Sequence, residues 1–329
     1  MAGSKQKTRV VTLGGGGGHS ALIQAFKDLP VELTALCNTA DDGGGSGVLM
    51  KEYGVHHPGE VRRVLSAFDT KAEFLNFRFD QGSLKGQTVG NILLAGLELE
   101  SGSFQQAIEK VENMCTIPHS SVIPITEKSV ILHAKTVNGK KISGQSNLVN
   151  HLWKYPSESV ERLWIEPKEI RLHPMAKKAL EQADKIFIAM GDMYSSIAPC
   201  LAVKELDHIF RKTQAEIIWL PNVVSAPGQI HYVSILSALE FFQTLSPHFF
   251  PNTVLFPKEK ISTDMEKILK QKGYTQTIFD VTEDHGIRVM RTELFEKTIS
   301  KQKKSIETIE RSPIHYNNEA LKKTIQSIL

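Results

Sequence analysis

A run of five glycines, Gly14 to Gly18, followed by His19 and Ser20, separates the apolar, β-branched VVTL from ALIQAF, whose apolar residues recur at helical spacing. Glycine accepts φ > 0 and has no Cβ, so consecutive N–H groups at a strand-to-helix turn can curl into a concave nest for an anion. Phosphate is the natural occupant. The competing reading is a tight turn and nothing more, although one or two glycines would make it and the surplus costs unfolded-chain entropy. Two familiar phosphate motifs fail. A P-loop requires Lys after the last glycine, where His19 stands, and G-x-G-x-x-G counted from Gly14 requires glycine at that same place. Gly15, Gly16, Gly17, Gly18 and His19 are the first candidate ligand contacts.

Further polar strand ends resemble the first. ALCNTADDGGGSGVL places Asn38, Thr39, Asp41 and Asp42 just before a second glycine cluster, and two such loops side by side can hold a diphosphate. The aspartates then either accept ribose hydroxyls or hold a Mg²⁺ that screens the charge, with Asp42 the metal candidate; one of the two can instead simply cap the next helix. In IAMGDMYSSIAP, Gly191, Asp192, Tyr194, Ser195 and Ser196 stand between an apolar run and a helix, and for Ser195 alone an N-cap is the simpler reading. IIWLPNVVSAPGQI puts Asn222 at a fourth strand end. Asn91 in GQTVGN either binds a ligand through its amide or caps the helix ILLAGLELE. His56 and His57, before Pro58-Gly59, read as solvated loop residues rather than metal ligands. G-x-S-x-G is absent, and no Ser-His-Asp or Cys-His arrangement can be argued from spacing.

These residues need a frame that gathers strand ends. RVVTLGG, ELTALCNTA, KIFIAMGD and EIIWLPN are apolar, strand-like runs, and each is followed by an amphipathic stretch. That alternation predicts a Rossmann-like, doubly wound α/β fold with a mainly parallel sheet covered on both faces. The middle breaks the rhythm. SVIPITEKSVILHAKTVNGKKISGQSNL alternates with period two around Asn138-Gly139, a strong hairpin signal, and predicts an antiparallel β-rich insertion over about 116–170. The expected organisation is one domain over residues 1–329 with that insertion inside it.

The totals fit such a domain. The 329 residues are 41% hydrophobic, 23% charged and 7% aromatic, with a net charge of +3, too mild to imply a nucleic-acid partner. The one basic run, KTISKQKKS, reads as a solvated helix face. Cys37, Cys115 and Cys200 form no C-x-x-C pair, which argues against a zinc site or a disulfide framework and for a reduced, cytoplasmic setting. No apolar h-region follows MAGSKQKTR and no run of about 18 apolar residues occurs, so a membrane partner is not expected.

GGGGGHS, ADDGGGSG, PGEVRR, GQTVGN, GDMYSS and PNVVSAPGQ, in this order over about residues 10–230, resemble the CofD/YvcK superfamily. The superfamily contains 2-phospho-L-lactate transferase, which moves a phospholactyl group from a GDP-activated donor to a deazaflavin. It also contains the YvcK gluconeogenesis factors, which bind UDP-sugars and influence carbon metabolism and cell-wall formation. DDGGGSG, PGEVRRVLSAF and KSVILHAKTVNGKKISGQ look like the second branch. That branch usually has Thr in place of Gly17, Arg in place of Val48 and Met50, and Asp-Ile-Arg-Asn in place of Glu60 to Arg63. The altered arginines change the charge that faces a bound phosphate.

The resemblance implies a nucleotide-sugar ligand with Gly15 to Gly18 and Arg62 on the diphosphate. Asp41 and Asp42 would lie on ribose or metal, and Asn91, Asp192, Tyr194, Ser195 and Ser196 around the sugar or base. Self-association as a homo-oligomer is a family habit. The alternative it implies is a Mg²⁺-dependent, CofD-like transferase acting on a nucleoside-diphosphate-activated group.

Overall fold

The computed structural model describes residues 7–40, 42–115, 120–229, 233–294, 314 and 316–329. Its frame is a seven-stranded sheet built from β1 (Thr8–Gly14), β2 (Val31–Cys37), β3 (Ser120–Pro124), β7 (Lys185–Ile188), β8 (Glu216–Trp219), β10 (Thr253–Pro257) and β12 (Arg288–Thr292). Every neighbouring pair in it is parallel, in the order β12-β10-β8-β7-β1-β2-β3. The chain starts at β1 in the middle, runs outward through β2 and β3, and returns to the other side of β1 at β7. It then runs outward through β8, β10 and β12. The strand order thus reverses between β1 and β7, where the loops leave a crevice beyond the carboxyl ends of the strands.

Both faces of the sheet are buried, which is why the strands read as continuous apolar runs. Along each strand, successive side chains enter opposite cores. Val11, Leu13, Ile186, Ile188, Ile217 and Trp219 pack into one core with α7 (Pro174–Gln182), α8 (Ala198–Leu201), α9 (Lys204–Lys212) and α10 (Ile235–Leu245). Val10, Leu33, Phe187, Ile218 and Leu255 pack into the other with α1 (Gly16–Phe26), α3 (Gly59–Phe68), α4 (Val89–Ser101), α5 (Phe104–Cys115) and α12 (Asn318–Ile328). Two further helices, α2 (Gly44–Tyr53) and α11 (Thr263–Gln271), follow β2 and β10. No described helix is long and apolar enough to cross a membrane.

The antiparallel part is a three-stranded sheet of β4 (Ile131–Thr136), β5 (Lys141–Ser143) and β6 (Val160–Glu166), with α6 (Gln145–Lys154) between β5 and β6. Gly139, at φ +82, turns the β4–β5 hairpin. β3 differs from the sequence expectation. Its period-two pattern runs on into the hairpin and reads as part of it, yet it pairs with β2 in parallel, Val122 beside Ala35 and Ile123 beside Leu36. The antiparallel sheet therefore begins at Ile131. A short pair, β9 (Val224–Ser225) and β11 (Thr275–Gln276), ties the loop after β8 to the segment after α11.

Candidate functional site

The glycine run carries the chain from β1 into α1 at the crevice, and each of its glycines has its own surroundings. A Cβ on Gly14 would stand 2.9 Å from the Cβ of Ala189, and one on Gly18 would stand 2.0 Å from the carbonyl oxygen of Met190. Ala189 and Met190 directly follow β7, so these two glycines let the turn from β1 into α1 pack closely on the segment after β7, at Gly18 against its backbone. A Cβ on Gly15 would meet Glu60 Oε2 at 3.0 Å and Asn38 Cβ at 3.3 Å, and Gly16 has φ +69. Gly17 differs from the other four: among the described residues outside its own helix, nothing lies within 4 Å of its Cβ position. The run thus serves packing, backbone geometry and, at Gly17, a free surface.

His19 belongs to the scaffold. It is fully buried, and its Nε2 pairs with Thr12 Oγ1 at 2.9 Å, which seats α1 on β1. Burial pushes its pKa down to about 4, outweighing the pull of nearby Glu60, so the ring is neutral at pH 7 and offers a ligand no surface.

A helix begins with N–H groups that lack partners, and no side chain caps α1 at Gly15. The Gly16 N–H donates instead to a carboxylate oxygen of Glu60, a buried residue in the first turn of α3. The other oxygen of Glu60 accepts from Arg63 Nη1 at 2.9 Å. An intramolecular carboxylate therefore sits where an anion is expected, favoured by the positive end of the α1 dipole. Sequence reasoning missed Glu60. The signals available were its i, i+3 spacing from Arg63 and the departure of this segment from the family pattern. Arg62, expected on the diphosphate, is buried against α4: its Nη1 donates to Asn76 Oδ1, and its Cγ lies 2.7 Å from where a Cβ on Gly90 would stand.

The loop after β2 is held on several sides. The backbone N–H of Asn38 donates to the Gly14 carbonyl at 3.0 Å, its Nδ2 donates to the Ser195 carbonyl at 2.8 Å, and its Oδ1 accepts from the Ala40 N–H at 3.0 Å. Asn38 is thus a brace joining the loops after β1, β2 and β7. Thr39 pairs with Thr126 through their hydroxyls. Asp41 lies outside the described residues. Asp42 accepts from the Ser146 N–H at 2.8 Å, so its carboxylate serves the start of α6, where the N-cap, Gly144 at φ +94, has no side chain. Among the described residues no group of three or more His, Cys, Asp or Glu side chains could share a metal ion.

Asn91 stands at the start of α4, where Thr88 Oγ1 caps its N–H at 3.3 Å and its Nδ2 donates to Ser46 Oγ at 2.8 Å. Among the described residues its buried Oδ1 has no hydrogen-bond partner. Ser46 in turn faces Gly59, next to Glu60, at 3.0 Å from a Cβ position. His57 Nε2 lies 2.9 Å from the Gly43 carbonyl, and His56 Nδ1 lies 2.5 Å from Glu98 Oε1 with its ring stacked on Phe104. His57 thus ties the α2–α3 connection to the start of α2, and His56 ties it to α4 and α5.

After β7, Asp192 Oδ1 accepts from the N–H and the hydroxyl of Ser195, each at 2.8 Å, and its Oδ2 accepts from Gln229 Nε2. This carboxylate starts the π-helical turn Met193–Ile197 and ties it to the loop after β8. Asn222 Nδ2 donates to the Gly191 carbonyl at 2.7 Å, a second tie between the same loops. Ser196 Oγ stands 3.7 Å from where a Cβ on Gly16 would be. Tyr194 points away from the crevice: its ring is buried in the core, edge-on to Phe241 at 5.4 Å. Burial also pushes up the thiol pKa values of Cys37 and Cys200, which keeps both protonated.

The structure thus gathers Gly15 to Gly18, Asn38, Gly191, Asp192, Ser195, Ser196 and Asn222 at the carboxyl ends of β1, β2, β7 and β8, with Glu60 added from α3. Asp42, Arg62 and Asn91 belong to the surrounding helix starts, and His19 and Tyr194 to the cores. A groove of about 640 Å³ between β6 and α10, bordered by Arg162, Trp164 and Phe241, contains none of these residues.

Residues 10–295 match the family model described as 2-phospho-L-lactate transferase CofD. The chain is 29% identical over 300 residues to the gluconeogenesis factor of Bacillus subtilis, covering 88% of this chain and 92% of that one. It is 32% identical over 229 residues to the gluconeogenesis factor of Halalkalibacterium halodurans, covering 68% and 69%. A Clostridium acetobutylicum relative is 31% identical over 273 residues, and the chain spans 59% of its length. In three dimensions the chain is similar to the crystal structure of a UPF0052 family member from Bacillus halodurans, with a TM-score of 0.85 and 26% identity over 98% of this chain and 99% of that one.

Proposed function

The chain belongs to the CofD family and is similar to gluconeogenesis factors, and from that premise we propose that it binds a nucleotide sugar of the UDP-sugar type at the crevice between β1 and β7. The observation that carries this reading is the meeting of the Gly14–Gly18 loop with the Ala189–Ser196 loop where the strand order reverses, with open space at the Cβ position of Gly17. In this reading the N–H groups at the start of α1 approach the diphosphate, with Gly17 supplying the free surface. Asn38 and Asp192 act as braces: each spends its polar atoms on neighbouring loops and so fixes the shape of the pocket rather than filling it. Ser196 and Asn222 border the space left for base or sugar. The role that follows is regulatory, in carbon metabolism and cell-wall formation, for a cytoplasmic protein that self-associates.

A second reading is favoured by the description of the matching family model: transfer of a phospholactyl-type group from a nucleoside-diphosphate-activated donor. It differs in requiring consumption of the donor in the presence of an acceptor. The experiment that tests the first reading is a thermal shift with UDP-N-acetylglucosamine and UDP-glucose, with free sugars as controls. A ligand at one hundred times its Kd stabilises the fold by about 2.7 kcal/mol. With an unfolding entropy of about 2.1 cal/mol/K per residue, a chain of this length melts about 4 °C higher. No shift with any nucleoside-diphosphate sugar, and no such molecule in the mass spectrum of material released from the denatured protein, would defeat the reading.

A further inference from the structure

We propose that Glu60 is a built-in occupant of the anion nest, a specificity-determining residue that rejects small free anions and yields only to a ligand bound by more than its phosphates. The helix α1 begins inside the glycine run, at Gly16. Its entry has no side-chain cap, and the N–H of Gly16 donates to the Glu60 carboxylate. That carboxylate is flush with the backbone, since a Cβ on Gly15 would stand 3.0 Å from Oε2. The close approach that a glycine permits at this point is thus already used by the protein's own anion. Glu60 is also well shielded, with a side chain only 6% exposed.

A phosphate aimed at the same N–H would meet a carboxylate in a poorly solvated place, where like charges repel far more strongly than in water. Displacing Glu60 costs the bond to Gly16, but it does not strand the charge. Arg63, one helical turn further along α3, already holds Oε1 at 2.9 Å and is partly exposed, so it offers the carboxylate a second seat. A free phosphate or pyrophosphate has nothing with which to offset that displacement. A diphosphate carried by a nucleoside has, because its base and sugar can contact the loops after β7 and β8. Resting on the nucleotide-sugar reading for its natural ligand, the inference names what that site excludes.

The test uses inorganic pyrophosphate as the probe, titrated by calorimetry at fixed ionic strength into the full chain and into Glu60→Ala and Glu60→Gln. Wild type is expected to bind it weakly, and Glu60→Ala at least tenfold more tightly. Glu60→Gln keeps the size and the acceptor oxygen, so it carries the test where the alanine variant fails to fold; it too should bind at least tenfold more tightly than wild type. Equal pyrophosphate affinity in wild type and Glu60→Gln would overturn the proposal. The two readings fail separately. If the variants gain pyrophosphate while no nucleotide sugar binds any of the proteins, the nucleotide-sugar reading falls and the role of Glu60 stands. If UDP-sugars bind wild type while pyrophosphate binding is the same in all three, the role of Glu60 falls alone.

Discussion

At Gly17 and Gly18, adjacent in sequence, an added side chain meets opposite surroundings. Gly17→Val projects into open space and is expected to leave stability within about 1 kcal/mol of wild type while removing the thermal shift caused by nucleotide sugars. Gly18→Ala forces a methyl onto the Met190 carbonyl, a backbone atom that cannot swing aside, and is expected to cost about 3 kcal/mol in urea unfolding. His19 supplies a third measurement at this scale. Its folded pKa of about 4 lies below the ordinary value of 6.5, so between those two pH values the unfolded chain binds the extra proton. The stability contributed by the neutral ring is fully present above pH 6.5 and is lost as pH falls toward 4, by about 2–3 kcal/mol. His19→Gln, which cannot titrate, is expected to flatten that part of the stability–pH curve.

At the scale of elements, Asp42 reaches from the end of β2 to the first turn of α6, 104 residues away. The Gly144 N-cap has no side chain of its own, so the distant carboxylate takes its place. Asp42→Ala is expected to lower stability by about 1 kcal/mol and to leave UDP-sugar affinity within twofold of wild type, both measurable by urea unfolding and calorimetry. Abolition of a Mg²⁺-dependent transfer by Asp42→Asn would instead favour the transferase reading.

At the scale of the molecule, the end of the chain closes over its beginning. α12 buries Leu321 and Ile325 in the same core as α1, and Asn318 Nδ2 donates to Gln24 Oε1 at 2.8 Å. Just before that helix, the Tyr316 hydroxyl donates to the Pro221 carbonyl at 2.9 Å, beside Asn222 and the loop that borders the crevice. Burial raises the pKa of this hydroxyl, so it stays a donor at neutral pH. Tyr316→Phe is expected to cost about 1 kcal/mol, the worth of one buried hydrogen bond, and to weaken nucleotide-sugar binding through the β8 loop. Hydrogen exchange in residues 221–229 would register the loosening.

The sequence by itself determined the layering, the parallel sheet and the hairpin. Strands buried on both faces must be continuously apolar, as in VVTL and KIFI, and their helices must be amphipathic; Gly139 supplies the φ > 0 that the short turn between β4 and β5 needs. These are local constraints, satisfied within a few residues. β3 escaped because a period-two pattern shows that a strand exists and not which edge it joins. What the glycines touch was decided only by tertiary structure: Ala189 and Met190 lie more than 170 residues beyond Gly14 and Gly18, and Glu60 lies 44 residues beyond Gly16. The same holds for the choice of Glu60 over Arg62 at the crevice. Helix residues two apart point in different directions, and the face that meets the glycine loop is set by how α3 packs on α1 and α4. A motif fixes which residues are near in the chain. Only the packed helix decides which of them reaches the site.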